Sequence, residues 1–260
     1  MLFNLLYPLA DDVGLFNLFR YITFRAGGAF FTALLFGFIF GKPIIDRLRR
    51  MQGKGQPIRE DGPEGHFVKA GTPTMGGVLI LGALLASTLI WARLDNPFIW
   101  MILFVTISFG LVGFADDYAK VSQNNSKGVS GRIRFGIGLL VAAIAGYWAS
   151  LFHPDPLVYK LAFPIFKDAL INLGILFVPF AMIVIVGAAN AVNLTDGLDG
   201  LAIMPTVLVG AALGLIAYLS VRFRGGFYIG TNTTIPNEIN FNLQQQMYQV
   251  IGFKVGIGNT

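Results

Sequence analysis

The chain has 260 residues, 55% of them hydrophobic and only 13% charged, a balance outside the range of ordinary soluble domains. The net charge of +5 is concentrated in two loops beside apolar stretches, which points to an anionic membrane surface or phosphate ligands and away from nucleic acid. With no cysteine, the chain has no disulfides, no thiolate catalysis and no zinc site built on Cys.

Taken in chain order, residues 1–21 mix short apolar runs with Asp11 and Asp12, too broken to cross a bilayer, and suit a helix lying in the interface. They lack the charged region and cleavage site of a removable signal peptide. Residues 22–41 form the first window long and apolar enough to span, with Arg25 near its outer end, where a long side chain reaches the headgroups. A polar, basic loop follows over 42–73. Further windows lie at 74–92, 97–115, 135–152, 169–192 and 201–221. Because hydrocarbon offers a backbone amide no partner except its own helical turn, these windows predict an all-α fold, a polytopic bundle of about six transmembrane helices. Residues 1–222 then make one membrane-embedded domain. Residues 223–260, rich in Asn, Gln, Thr and Gly, read as a polar tail.

Lysines and arginines of short loops favour the cytoplasm. The loops after the first and third windows are the basic ones, the latter with Lys120, Lys127, Arg132 and Arg134, so the N-terminus is expected outside. By the same parity the loops around 42–73, 116–134 and 190–200 share the cytoplasmic side.

Three stretches on that side have the residue types of phosphate chemistry. In Gly113-Phe114-Ala115-Asp116-Asp117-Tyr118 an apolar helix is expected to end in two carboxylates. A divalent cation such as magnesium, bound with phosphate oxygens, offsets their desolvation. Adjacent helical positions point about 100° apart, so one acid can hold metal while the other faces a nucleophile. The plain alternative is a polar helix end in water, with Lys120 as partner. Asn190 through Gly200 gathers Asn190, Asn193, Thr195, Asp196 and Asp199 with two glycines, more polar groups than a capped turn requires. Lys69 to Gly77 combines a lysine, Thr72, Thr74 and a glycine-rich helix start, an anion-binding set. An ordinary helix start, capped by Thr72 with Pro73 at its first position, explains part of that stretch equally well. Lys127 and Arg134 face the same side, suited to an anionic substrate, although orientation alone also accounts for them. His66 and His153 are the only histidines, and no Ser-His-Asp set or histidine metal cluster can be assembled from them.

Together, Gly71-Thr72-Pro73-Thr74-Met75-Gly76-Gly77, Phe114 to Tyr118 and Asn190 to Gly200 resemble the polyprenyl-phosphate N-acetylhexosamine-1-phosphate transferases. Arg59-Glu60-Asp61-Gly62-Pro63-Glu64-Gly65-His66-Phe67 followed by Lys69 resembles the muramoyl-pentapeptide branch of that superfamily. The similarity runs from about residue 1 to 222. It implies transfer of phospho-N-acetylmuramoyl-pentapeptide from UDP-N-acetylmuramoyl-pentapeptide to undecaprenyl phosphate, giving lipid I and UMP with Mg2+. The setting it implies is a bacterial inner membrane with a cytoplasmic active face, in contact with membrane lipids and open to homodimer formation. By the same resemblance Asp116 and Asp117 handle the lipid phosphate and its proton, and Lys69 binds diphosphate. Thr74, Asn190, Asn193, Asp196 and Asp199 line the nucleotide and metal pocket, with Asp117 and Asp199 as metal ligands.

Members of that family continue through about four more spans, with a further aspartate motif and a later run of histidines that this sequence does not show; the resemblance therefore implies that the 260-residue chain alone lacks turnover. Two other functions fit some of the same residues. An N-acetylglucosamine-1-phosphate transferase shares the chemistry. An ion-coupled transporter would use Asp116, Asp117 and Asp196, but it expects acids near the bilayer midplane.

Overall fold

In a computed structural model, residues 1–52, 73–123, 128–152, 158–162, 170–195 and 201–227 are described. The expected windows all appear as helices: α2 Ile22–Gln52, α3 Gly77–Trp91, α4 Pro97–Ser122, α5 Gly131–Phe152, α6 Phe177–Thr195 and α7 Ile203–Phe227, after a short α1 Leu2–Leu6. Four apolar stretches, those of α2, α4 and α5 and the one over Gly174–Leu194, are long enough to cross a membrane; Gly77–Trp91 and Ile203–Leu215 are shorter. The bundle is thus all-α in plan, with one departure. Lys160–Ala162 and Leu170–Asn172 pair as an antiparallel hairpin, β1 and β2.

Several helix bounds differ from those the sequence suggested. First, α2 runs past residue 41 to Gln52, because Ile44, Ile45, Leu48 and Met51 keep a helical apolar spacing among the charges, and Pro43 lies inside the helix without ending it. Then α3 starts at Gly77 and not at Pro73, so Pro73 is not the first helical residue; Met75, at φ 68°, turns the chain first. Helix α4 continues through Asp116 and Asp117 to Ser122, so the acid pair lies inside the helix and not at its end. Its start matches expectation, since Asn96 accepts from the Phe98 amide ahead of Pro97. The sixth helix begins at Phe177 instead of 169, because residues 170–172 are strand and Gly174, at φ 49°, separates strand from helix. The backbone of α7 extends five residues beyond 222, to Phe227.

Residues 1–182 form one compact unit and 183–260 another. Within the first, α2 and α3 run antiparallel, as Gly41 meets Leu79, Gly82 meets Phe36, and the Trp91 indole donates to Thr32 Oγ1 at 2.8 Å. Glycine permits the closest approaches. A Cβ on Gly110 of α4 would lie 2.5 Å from Leu81 Cδ1, and one on Gly146 of α5 would lie 3.1 Å from Ala181 Cβ. Phe104 and Trp148 pack α4 against α5, with ring centroids 6.2 Å apart. Apolar side chains such as Phe30, Phe38, Leu111 and Leu140 are exposed, as suits helices that face lipid. Arg25 does not reach outward as expected. It is buried, with its guanidinium 4.9 Å from the Phe3 ring of the N-terminal segment.

Candidate functional site

Antiparallel packing brings the C-terminal end of α2, the N-terminal approach to α3, the C-terminal part of α4 and the start of α5 to one end of the first unit. Gln52, the last residue of α2, grips Thr74 from both sides. Its Oε1 accepts from the Thr74 amide at 2.8 Å, and its Nε2 donates to the Thr74 carbonyl at 3.0 Å. This clasp holds the turn in which Met75 adopts the left-handed conformation, at a cost of roughly 1–2 kcal/mol for a residue with a side chain. The Thr74 hydroxyl is left pointing at α4, where it donates to Asp117 Oδ2 at 2.9 Å.

One helical position apart, the two aspartates have different surroundings. Asp116 is 5% exposed and fully engaged: its Oδ2 lies 2.7 Å from Lys120 Nζ and 3.1 Å from Arg134 Nη1, and its Oδ1 accepts from the Val129 amide at 2.8 Å. A buried carboxylate needs such partners to stay charged. Gly128 lets the chain come this close. A Cβ there would sit 2.5 Å from Asp116 Oδ1, and its φ of 58° suits glycine. Arg134 arrives because α5 starts at Gly131, a turn before the expected 135, so Arg134 is a helical residue that packs back onto α4. Asp117 is more open, its side chain 31% exposed, with Lys120 Nζ at 3.4 Å from Oδ1.

Of the residues singled out in the sequence, Thr74, Asp116, Asp117 and Arg134 meet in this network. Asn190 and Asn193 lie on α6 in the second unit, three residues apart on one side of the helix, and the Asn190 side chain donates to the Val186 carbonyl at 2.8 Å. Lys69, Lys127, Asp196 and Asp199, with His66 and His153, lie outside the described residues. Gln52 and Gly128 escaped the sequence reading, since a glutamine at the end of a basic stretch and a glycine in a short loop have no motif of their own. Lys120, in the sequence a basic loop residue and an ordinary partner for a polar helix end, bridges both carboxylates.

Among the described residues no three metal-ligating side chains converge. The Asp117 carboxylate and Thr74 hydroxyl are nevertheless hard oxygen donors of the kind Mg2+ accepts while keeping several waters or phosphate oxygens.

Fold and site together define a multi-pass helical membrane protein with an acidic, cation-braced centre at one end of its helices. The chain belongs to glycosyl transferase family 4, whose model matches residues 99–236, and the phospho-N-acetylmuramoyl-pentapeptide-transferase signature 1 matches residues 69–81. Those segments contain Thr74 and the aspartate pair. The chain is 68% identical over 213 residues to a phospho-N-acetylmuramoyl-pentapeptide-transferase of Ruegeria pomeroyi and 67% identical over 213 residues to one of Ruegeria sp. strain TM1040. It is 64% identical over 214 residues to one of Dinoroseobacter shibae. Each match covers 82% of this chain and 59% of the relative, so the chain spans about three-fifths of the length of the curated relatives it matches.

Proposed function

We propose that this chain belongs to a phosphotransferase that moves phospho-N-acetylmuramoyl-pentapeptide from its UDP carrier to undecaprenyl phosphate, forming lipid I and UMP at the cytoplasmic face of a bacterial inner membrane. The observation that carries this reading is the Gln52–Thr74–Asp117 relay beside the braced Asp116, in segments that match the family and its signature. An anionic lipid phosphate attacks an anionic diphosphate, so positioning and charge neutralisation supply most of the rate.

In this reading Asp117, the more open carboxylate, faces the acceptor phosphate and takes its proton as the new phosphorus–oxygen bond forms and the bond to UMP breaks. Thr74 fixes the Asp117 rotamer through Oδ2, while Oδ1 lies beside Lys120 Nζ. Asp116 is a positioning residue. It holds Lys120 and Arg134 at the rim, where their charge favours the incoming phosphates. Asp117, and Asp199 by the sequence reading, would hold Mg2+, which supplies Lewis-acid polarisation of the diphosphate. Lys69 and Lys127 are assigned to the diphosphate, and Asn190, Asn193 and Asp196 to the nucleotide pocket.

The test is a chimera in which the 213 matched residues of this chain replace their counterparts in the Ruegeria pomeroyi relative. Membranes containing it are given UDP-N-acetylmuramoyl-pentapeptide or UDP-N-acetylglucosamine. Lipid I from the first substrate alone is expected; product only from the second would replace this assignment with the sister chemistry.

A further inference from the structure

The opposite end of the first unit has a second charged cluster that the transferase reading leaves unused. Arg25 sits in the first turn of α2, and Arg93 just beyond α3. Twenty-seven residues of helix at 1.5 Å rise separate Arg25 from Gln52, about 40 Å, more than the roughly 30 Å hydrocarbon core, so the two clusters lie at opposite membrane faces. Both guanidinium groups rest against one ring, that of Phe3, at 4.9 Å for Arg25 and 4.8 Å for Arg93.

Asp95 accepts from Arg93 Nε at 3.3 Å and forms an ion pair with it. Arg25 is only 8% exposed, and its buried Nε has no hydrogen-bond partner among the described residues. A buried donor left unmatched costs about 1–3 kcal/mol. Among the described residues Asp95 pairs with Arg93, while Arg25 Nε is left without an acceptor. The N-terminal ammonium, which donates to the Leu89 and Ala92 carbonyls, is held below its ordinary pKa by burial and then by the charge of Arg25. Around the cluster Trp91 stacks with Phe19 and meets Phe24 edge-on, and Leu5, Tyr21 and Phe24 are exposed, an aromatic and aliphatic rim at headgroup depth.

We propose that Arg25 and Arg93, gathered on Phe3, form a binding site for the phosphate of an anionic phospholipid in the leaflet opposite the transferase site. The phosphodiester oxygen supplies the acceptor Arg25 lacks, reached by a rotation of a guanidinium that only ring contact and charge hold in place. Its negative charge balances the second cation, and the acyl chains lie along the exposed rim. A lipid is favoured over a soluble anion because the cluster closes the ends of two apolar helices.

The purified chain, stripped of lipid in neutral detergent, is titrated with dioleoylphosphatidylglycerol, dioleoylphosphatidylcholine or inorganic phosphate, with bound lipid read by native mass spectrometry and thermal stability in parallel. Wild type is expected to prefer phosphatidylglycerol over phosphatidylcholine by about ten-fold or more, in line with a charge-assisted hydrogen bond. Arg25→Gln is expected to erase that preference. Arg93→Gln, at the more accessible partner, weakens it and serves as the readout if Arg25→Gln fails to fold. A preference unchanged in either folded variant, or absent from wild type, overturns the site. Stabilisation by inorganic phosphate with no further effect of phosphatidylglycerol overturns the lipid assignment.

Discussion

Gln52→Ala removes no group that would touch substrate, yet it should impair transfer. The clasp on Thr74 consists of two half-buried hydrogen bonds, each worth about 1 kcal/mol net, so roughly 2 kcal/mol is lost. The left-handed Met75 that the clasp maintains costs about 1–2 kcal/mol. These magnitudes nearly cancel, so without Gln52 the turn has little reason to persist and the Thr74 hydroxyl leaves Asp117. In the chimera, kcat/KM for lipid I formation should fall about 10- to 30-fold, mostly in kcat, because the relay orients Asp117 more than it binds carrier. Thr74→Val removes the next link directly. Its bond to a carboxylate about a third exposed is worth about 1–2 kcal/mol, giving a loss of similar size. Because both changes break one chain of contacts, the double variant should be scarcely worse than either single one, with a coupling of about 1 kcal/mol or more. Fully additive losses, or a Gln52→Ala rate within about two-fold of the parent chimera, would refute the relay.

Asp116→Asn leaves Lys120 and Arg134 facing a neutral group. Discounted for the partial exposure of both cations, the loss should be about 2–4 kcal/mol of stability, read as a fall of roughly 5–15 °C in thermal midpoint. Unchanged melting with lost activity would place Asp116 in the chemistry instead. Gly128→Ala puts a Cβ against Asp116 and strains a positive φ, so it should lower the midpoint by several degrees, whereas Gly131→Ala, with open space around it, should not. Burial works against the charge on Asp95, but the hydrogen bond and charge of Arg93, with the amide of Asn4, outweigh it and hold the carboxyl below 3.8. The stabilisation is therefore present above that value and lost as pH falls through the lowered one. Asp95→Asn should accordingly flatten the decline in stability that the parent shows in this acid range; identical acid profiles would contradict it.

Much of this architecture is legible in residue order. Apolar windows locate the helices because lipid makes the helix the only way to satisfy a spanning backbone, and Asn96-Pro97 marks a start that local chemistry alone decides. Helix ends are less legible. The composition break at Lys42 marks where α2 leaves the apolar region, while the helix itself persists through a polar stretch of good helical spacing. The same holds at Asp116-Asp117, where the charges suggested an end that the backbone ignores. The hairpin escaped because strands of three residues are too short to show alternation. At the site, the acids and Thr74 stand out in the sequence through their residue types. The inequality of Asp116 and Asp117 does not, because it depends on Arg134 and the Val129 amide approaching from 18 and 13 residues away. Gln52 is invisible for the same reason: it acts through a contact 22 residues away.

The central claim, that Asp117 and not Asp116 takes up the acceptor proton, is tested most directly by Asp117→Asn in the chimera, with lipid I formation and UDP-substrate binding measured on the same preparation. The account predicts a loss of roughly 10²–10⁴-fold in turnover, as for removal of a general base, with UDP-substrate binding reduced far less than turnover and thermal stability close to the parent. An Asp117→Asn chimera that still makes lipid I within about ten-fold of the parent rate would contradict it.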